Sequence, residues 1–279
     1  MLKRFTQIES SVETITPEAA KKYLERNVNN RNVNKDRVAI YARDILAGNW
    51  TAGSSIGFFE NGDLADGQHR LQAVVSANAP AVFVVIRNLP YESKLNHNGG
   101  MVQTAANSIK MYSGQNELYG VRVPQASSFV RTLIEIEVSQ SAASMSPSEL
   151  ITKMDSVADA LSFVAPYVRK KHKGISASAV WAAIIPAVYI VDKAKLATFC
   201  EVFTGKRNAI DACESMAMRF ATVMITTNQI GFASRLEVFM KTQRCIKAFM
   251  EGQSLTRFYA GDGFVYSAKE RLGFKNGSN

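Results

Sequence analysis

An α+β protein is predicted, with a small mixed sheet early in the chain followed by an all-helical part. Three observations predict it. Short apolar runs of strand type occur at residues 56–59 (Ile-Gly-Phe-Phe) and 82–86 (Val-Phe-Val-Val-Ile). Around these runs, apolar residues recur at helical spacing. Past Gly114 the strand signals fade, and one amphipathic segment follows another.

Thr16 caps and Pro17 starts a first helix, to about residue 27, because proline at the first position forfeits no helical hydrogen bond. A second helix spans roughly 35–47 and buries Val38, Tyr41, Ile45 and Leu46, with Gly48 as its stop. The strand at 56–59 leads into Glu60-Asn61-Gly62-Asp63, a tight turn carrying the Asn-Gly hairpin signal. Leu71, Val74 and Val75 then mark a third helix. The unbroken apolar run at 82–86 suits a strand inside a mixed sheet.

In the second part, helices are predicted over 126–137, about 177–193, about 209–224 and about 235–251. Another opens at the capping box Ser146-Pro147-Ser148-Glu149 and carries Leu150, Met154, Val157 and Leu161. Trp181, Tyr189, Met216, Met218 and Met224 read as core. Domains over 14–113 and 125–270 result, with the boundary in 114–124. The basic cluster 169–173 (Arg-Lys-Lys-His-Lys) suits either a solvated helix end or contact with nucleic-acid phosphates.

A chain of 279 residues, 47% hydrophobic and 20% charged, can bury a core in each of two domains. A net charge of +9 favours an anionic partner, nucleic acid first, although a basic balance also serves solubility. Cys200, Cys213 and Cys245 lack Cys-x-x-Cys spacing and read as small buried hydrophobes in a reducing compartment. His69, His97 and His172 are too few and too scattered for a zinc site. The longest apolar run, 179–191, is shorter than a membrane span, and the first residues lack the apolar stretch of a signal peptide. A cytoplasmic protein is expected. Walker, dinucleotide, zinc-deaminase and Ser-His-Asp patterns are absent.

The most informative segment is Asp66-Gly67-Gln68-His69-Arg70-Leu71-Gln72-Ala73, where an extended run becomes helical. Gly67 and Gln68 fall at a helix N-terminus, where backbone N–H groups and the helix dipole favour an anion. Arg70 adds a bidentate phosphate grip, and Asp66 can hold a hard cation or accept a proton. The same residues equally suit a capped helix with Asp66 and Arg70 in a structural ion pair.

Asp66-Gly67-Gln68-His69-Arg70-Leu71 after a strand and turn resembles the signature box of the ParB/sulfiredoxin superfamily. Upstream, Thr16-Pro17-Glu18-Ala19, Asn29-Asn30-Arg31, Tyr41-Ala42 and Gly48-Asn49-Trp50 resemble the order found in ParB-like proteins of phages and mobile elements. The resemblance covers about 14–107 and implies a ParB/sulfiredoxin-like domain whose box holds nucleotide phosphates through Gly67, Gln68 and Arg70. Arg31 and Thr104 join this cofactor-binding set. Two departures matter. Sulfiredoxins carry a catalytic cysteine where this chain has Gln68, which excludes sulfinic-acid reduction. The related Asp-x-Gly-x-x-Arg-Thr segment here reads Asn98-Gly99-Gly100-Met101-Val102-Gln103-Thr104, so two charges are lost while hydrogen-bonding capacity stays.

Two functions stay open for a protein of phage or mobile-element DNA metabolism. One is a Mg²⁺-dependent phosphotransferase or nucleotide hydrolase using ATP or CTP. Asp66 would then hold the metal, His69 would bond a phosphate oxygen, and Asp66 and His69 would be the catalytic pair. Its general base is not evident; Glu18, Glu25 and Asp63 qualify. The other is a non-enzymatic accessory or regulatory factor that binds nucleotide or DNA without turnover. The expected partners are a nucleotide and non-specifically bound DNA, with a homodimer also open and no membrane. The helical part offers no clear helix-turn-helix reader, against a partition role.

Overall fold

The computed structural model describes residues 7–28, 30, 32–91, 104–139, 145–168, 174–227 and 230–274. The chain forms two compact units, Met1–Gln103 with Ser144–Ser148, and Thr104–Ala143 with Glu149–Asn279. It is an α+β protein with a small mixed sheet, as the strand and helix patterns predict.

In the first unit, strand β1 (Glu9–Ile15) is followed by helices α1 (Pro17–Leu24) and α2 (Lys35–Leu46). Strands β2 (Ser55–Phe59) and β3 (Leu64–Asp66), helix α3 (Gln68–Ala77) and strand β4 (Ala81–Leu89) complete it. The sheet order is β1-β4-β2-β3. Central β4 runs antiparallel to β1 and parallel to β2, while β2 and β3 form the hairpin predicted from Asn61-Gly62. Ile15, Ile56, Phe83 and Val85 from the sheet share one core with Ala20, Ala42, Ile45, Leu71 and Val74 from the helices. Val82, Val84 and Ile86 stay partly exposed, so β4 is covered fully on one face only. Its unbroken apolar run overstates its burial.

Three other expectations need correction here. Strand β1 escapes the sequence pattern because an edge strand pairs through its backbone: of its seven residues only Ile15 is buried. α1 ends three residues early, where Arg26 N–H to Tyr23 O and Asn27 N–H to Leu24 O tighten its last turn. Leu46 is 66% exposed, because Ala42 and Ile45 are the α2 residues that face the core.

The second unit contains α4 (Ala105–Ser113), β5 (Glu117–Leu118), β6 (Val121–Arg122), α5 (Val123–Val138), α6 (Pro147–Ser156) from Glu149 on, and α7 (Ala158–Val168). Helices α8 (Ser178–Ala187), α9 (Lys193–Phe203), α10 (Ala212–Thr226) and α11 (Phe232–Met250) follow. It is not all-helical: β5 and β6 pair antiparallel inside the expected linker, around Tyr119 and Gly120 at φ +55° and +74°. α4 packs on α5 and so falls in this unit. One helix expected from the capping box is two, broken at Val157, although Leu150, Met154, Val157 and Leu161 are all buried as predicted. The run expected to reach residue 193 stops at Ala187, just after Pro186, and Asp192 caps a new helix by accepting from Lys195 N–H at 2.7 Å.

α8 is apolar all round and almost wholly buried, with Trp181 1% exposed. Met216 and Met224 are core, but Met218 is 49% exposed and is no filler. Tyr189 is half-buried beneath the Arg271 guanidinium, 3.9 Å from its ring centre. Burial pushes the Cys200 and Cys245 thiols well above their usual range, consistent with inert packing residues. Cys213 is partly exposed. The cluster 169–173 lies outside the described residues. Among those described, no helix is long and apolar enough to cross a membrane.

Candidate functional site

The box stands where β3 gives way to α3. Gly67 is the helix N-cap, at φ +113°, a backbone conformation that side chains with a Cβ rarely adopt. A Cβ there would also meet Ile56, 3.0 Å from Cγ1 and 3.3 Å from Cα. Glycine is therefore required twice, for its torsion and for the close pass over β2. Gly67→Ala should lower stability by roughly 2 kcal/mol, read as a lower urea midpoint. An unchanged midpoint would show that neither constraint acts.

No side chain caps α3. The Asp66 carboxylate takes up part of that role: Oδ1 accepts from Gly67 N–H at 2.8 Å. Oδ2 accepts from Arg70 Nη2 at 2.7 Å, an i,i+4 ion pair in which the Asp66 side chain is 46% exposed and Arg70 20%. The Arg70 Nε donor is buried and has no hydrogen-bond partner. An unsatisfied buried donor is unfavourable by about 1–3 kcal/mol, and more when charged.

Gln68 and His69 point the other way, into the protein, at 5% and 7% exposure. They hold the loop between α1 and α2. Asn27 Nδ2 donates to Gln68 Oε1 at 3.1 Å, and Asn34 N–H donates to His69 Nε2 at 2.9 Å. Asn30 Nδ2 reaches Asn27 Oδ1 and the Leu64 carbonyl. An accepting Nε2 leaves Nδ1 to carry the proton of the neutral ring. Asn27, Asn30 and Asn34 thus fix this loop against the box.

Arg31, Asn98 and Gln103 lie outside the described residues. Thr104 belongs to the second unit, where its Oγ1 caps α4 by accepting from Asn107 N–H at 3.2 Å. Among the candidate bases, Glu18 is exposed in the first turn of α1 and Glu25 is its C-cap. Asp63 is tied to Asn61 within the hairpin turn. None of the three bonds to the box. Asp66 is a lone carboxylate with both oxygens engaged, and no group of three or more His, Cys, Asp or Glu side chains gathers among the described residues. These residues do not build a Mg²⁺ site by themselves.

No family model, characterised protein or solved structure matches the chain.

Proposed function

We propose that the first unit binds the phosphate of a nucleotide, ATP or CTP, at the start of α3 without turning it over. The protein would then be a nucleotide-binding accessory factor of phage or mobile-element DNA metabolism. The observation that carries this reading is Arg70: one guanidinium edge is anchored by Asp66, and Nε is buried without a partner beside a helix start that no side chain caps. A phosphate that draws the Arg70 side chain outward would satisfy that donor and meet the helix dipole. The resemblance of residues 66–71 to the ParB/sulfiredoxin box supports the same assignment, and the +9 charge supports a DNA partner.

Binding is favoured over catalysis because the groups that would do chemistry are already committed. His69 Nε2 accepts from the Asn34 backbone, Gln68 holds Asn27, and Asp66 holds Arg70. Mg²⁺, if it enters, would come with the phosphates, Asp66 being the nearest carboxylate in the box.

The test is a thermal melt with and without ATP or CTP and Mg²⁺. Nucleotide should raise the melting temperature of the wild type. Arg70→Ala should weaken binding at least about tenfold, the loss of one charge-assisted hydrogen bond, and Arg70→Lys should recover only part. A variant that melts far lower without any ligand would make the Asp66–Arg70 pair structural. Phosphate release by the wild type would restore the enzymatic reading.

A further inference from the structure

A second opening in the first unit lies away from the box chemistry, between the C-terminal turn of α1, the β2–β3 turn and the end of β4. It encloses about 330 Å³. That is the low end for small-molecule sites, room for one ring system with one charged group. Tyr23, Phe58 and Phe59 give it an aromatic wall, with Tyr23 and Phe58 edge to face at 5.0 Å. Lys22, Arg26 and Arg87 give it three cations against one acid, Glu60.

The cations are not equivalent. Arg87 is locked: Nη1 donates to Glu13 Oε1 at 2.5 Å and Ser11 Oγ at 3.3 Å, and Nη2 donates to Glu13 Oε2 and Tyr23 Oη, both at 3.1 Å. All four terminal N–H donors are thereby used. These bonds hold the Glu13 carboxyl down at about 2, so the pair stays ionised at any physiological pH. What Arg87 retains is its flat face, already 5.9 Å above the Phe58 ring, and planar guanidinium faces stack on aromatic rings. Lys22 and Arg26 are exposed and have no ion-pair partner among the described residues. They offer unpaired charge at the mouth.

The geometry points to a binding site for a nucleoside monophosphate group, its base against Tyr23 and Arg87 and its phosphate on Lys22 and Arg26. A flat ring meets the surfaces that have spent their hydrogen bonds, and an anion meets those that have not. Either a free nucleotide or the 5′-phosphorylated end of a single strand supplies this chemistry.

Saturation-transfer NMR and calorimetry with AMP, ribose 5-phosphate and inorganic phosphate test it. AMP should bind at least tenfold tighter than ribose 5-phosphate, with its base protons saturated most strongly. Lys22→Ala/Arg26→Ala, both exposed and therefore compatible with folding, should weaken AMP at least tenfold. A 5′-phosphorylated trinucleotide that binds tenfold tighter than AMP identifies a strand end as the source; equal or weaker binding identifies the free nucleotide. The site is overturned if AMP does not bind, if ribose 5-phosphate binds as well, or if the double variant binds AMP normally. Loss of AMP binding in Arg70→Ala alone would assign the nucleotide to the box instead.

Discussion

Gly174→Ala should destabilise the second unit by about 4 kcal/mol or more, the largest effect expected of alanine at any described glycine. A Cβ on Gly174 would lie 2.0 Å from the carbonyl oxygen of Met224, 2.5 Å from its carbon and 2.8 Å from Ile225 Cα. All three are backbone atoms of α10, so no side-chain rotamer can relieve the overlap. Gly174 also sits at φ +75°, which adds torsional strain for alanine. Gly205 is the control: its φ is +70° but nothing lies within 4 Å of a built Cβ. Gly205→Ala should therefore show the strain alone, about 1 kcal/mol. A melting temperature lowered by about 10 °C or more for Gly174→Ala, against a few degrees for Gly205→Ala, fits a unit of this size. Equal shifts in the two variants would mean that α10 yields to the methyl group.

Gly174 also illustrates how the sequence speaks locally and falls silent over distance. The sequence shows only that it follows a basic cluster, but the passage of α10 over it joins residues fifty apart. The elements with strong periodicity, α2, α3, α5 and α11, were legible because their apolar stripes are made within a few residues. β1 was not, since Glu9, Ser10, Ser11 and Glu13 lie at an edge that only the register with β4 defines. Nor was the break at Val157, which stays buried and leaves the helical spacing of apolar residues intact across it.

The box shows the same division. Its position at a helix start followed from the order of strand, turn and helix. The direction of each side chain did not. His69 and Arg70 are adjacent in sequence, yet one turns inward to Asn34 and the other toward Asp66. That split goes with the loop between α1 and α2, where the Asn27 and Asn30 side chains and the Asn34 backbone N–H find partners in Gln68, the Leu64 carbonyl and His69. The aromatic and basic wall around Arg87 was invisible to motif reading, because its residues come from α1, β2 and β4 and no two carry the site without the third.

Glu137→Gln should stabilise the protein at pH 8 by about 3 kcal/mol and change little at pH 4. Glu137 lies in the last turn of α5 at 8% exposure and receives the chain after α11: Ser267 Oγ donates to Oε2 at 3.0 Å, as does Ala268 N–H. Gln243 adds to the same strap, accepting from Val265 and Tyr266 N–H and donating to the Tyr266 carbonyl. Burial outweighs the bonds from Ser267 and Ala268 and lifts the Glu137 carboxyl from 4.5 to about 7. Below pH 4.5 the group is protonated in both the folded and unfolded chain, and its charge has no effect on stability. Between 4.5 and 7 the folded chain keeps a proton that the unfolded chain releases, so stability falls as pH rises. Above 7 the group is ionised in both states, and the full penalty for the buried charge remains, about 3 kcal/mol for a shift of this size. Glutamine keeps an oxygen for Ala268 N–H and removes the charge. Denaturant midpoints of wild type and Glu137→Gln at pH 4, 6 and 8 should diverge steadily, the variant leading. If the wild type instead gains stability relative to the variant as pH rises, the ionised carboxylate is the form that holds the C-terminal strap.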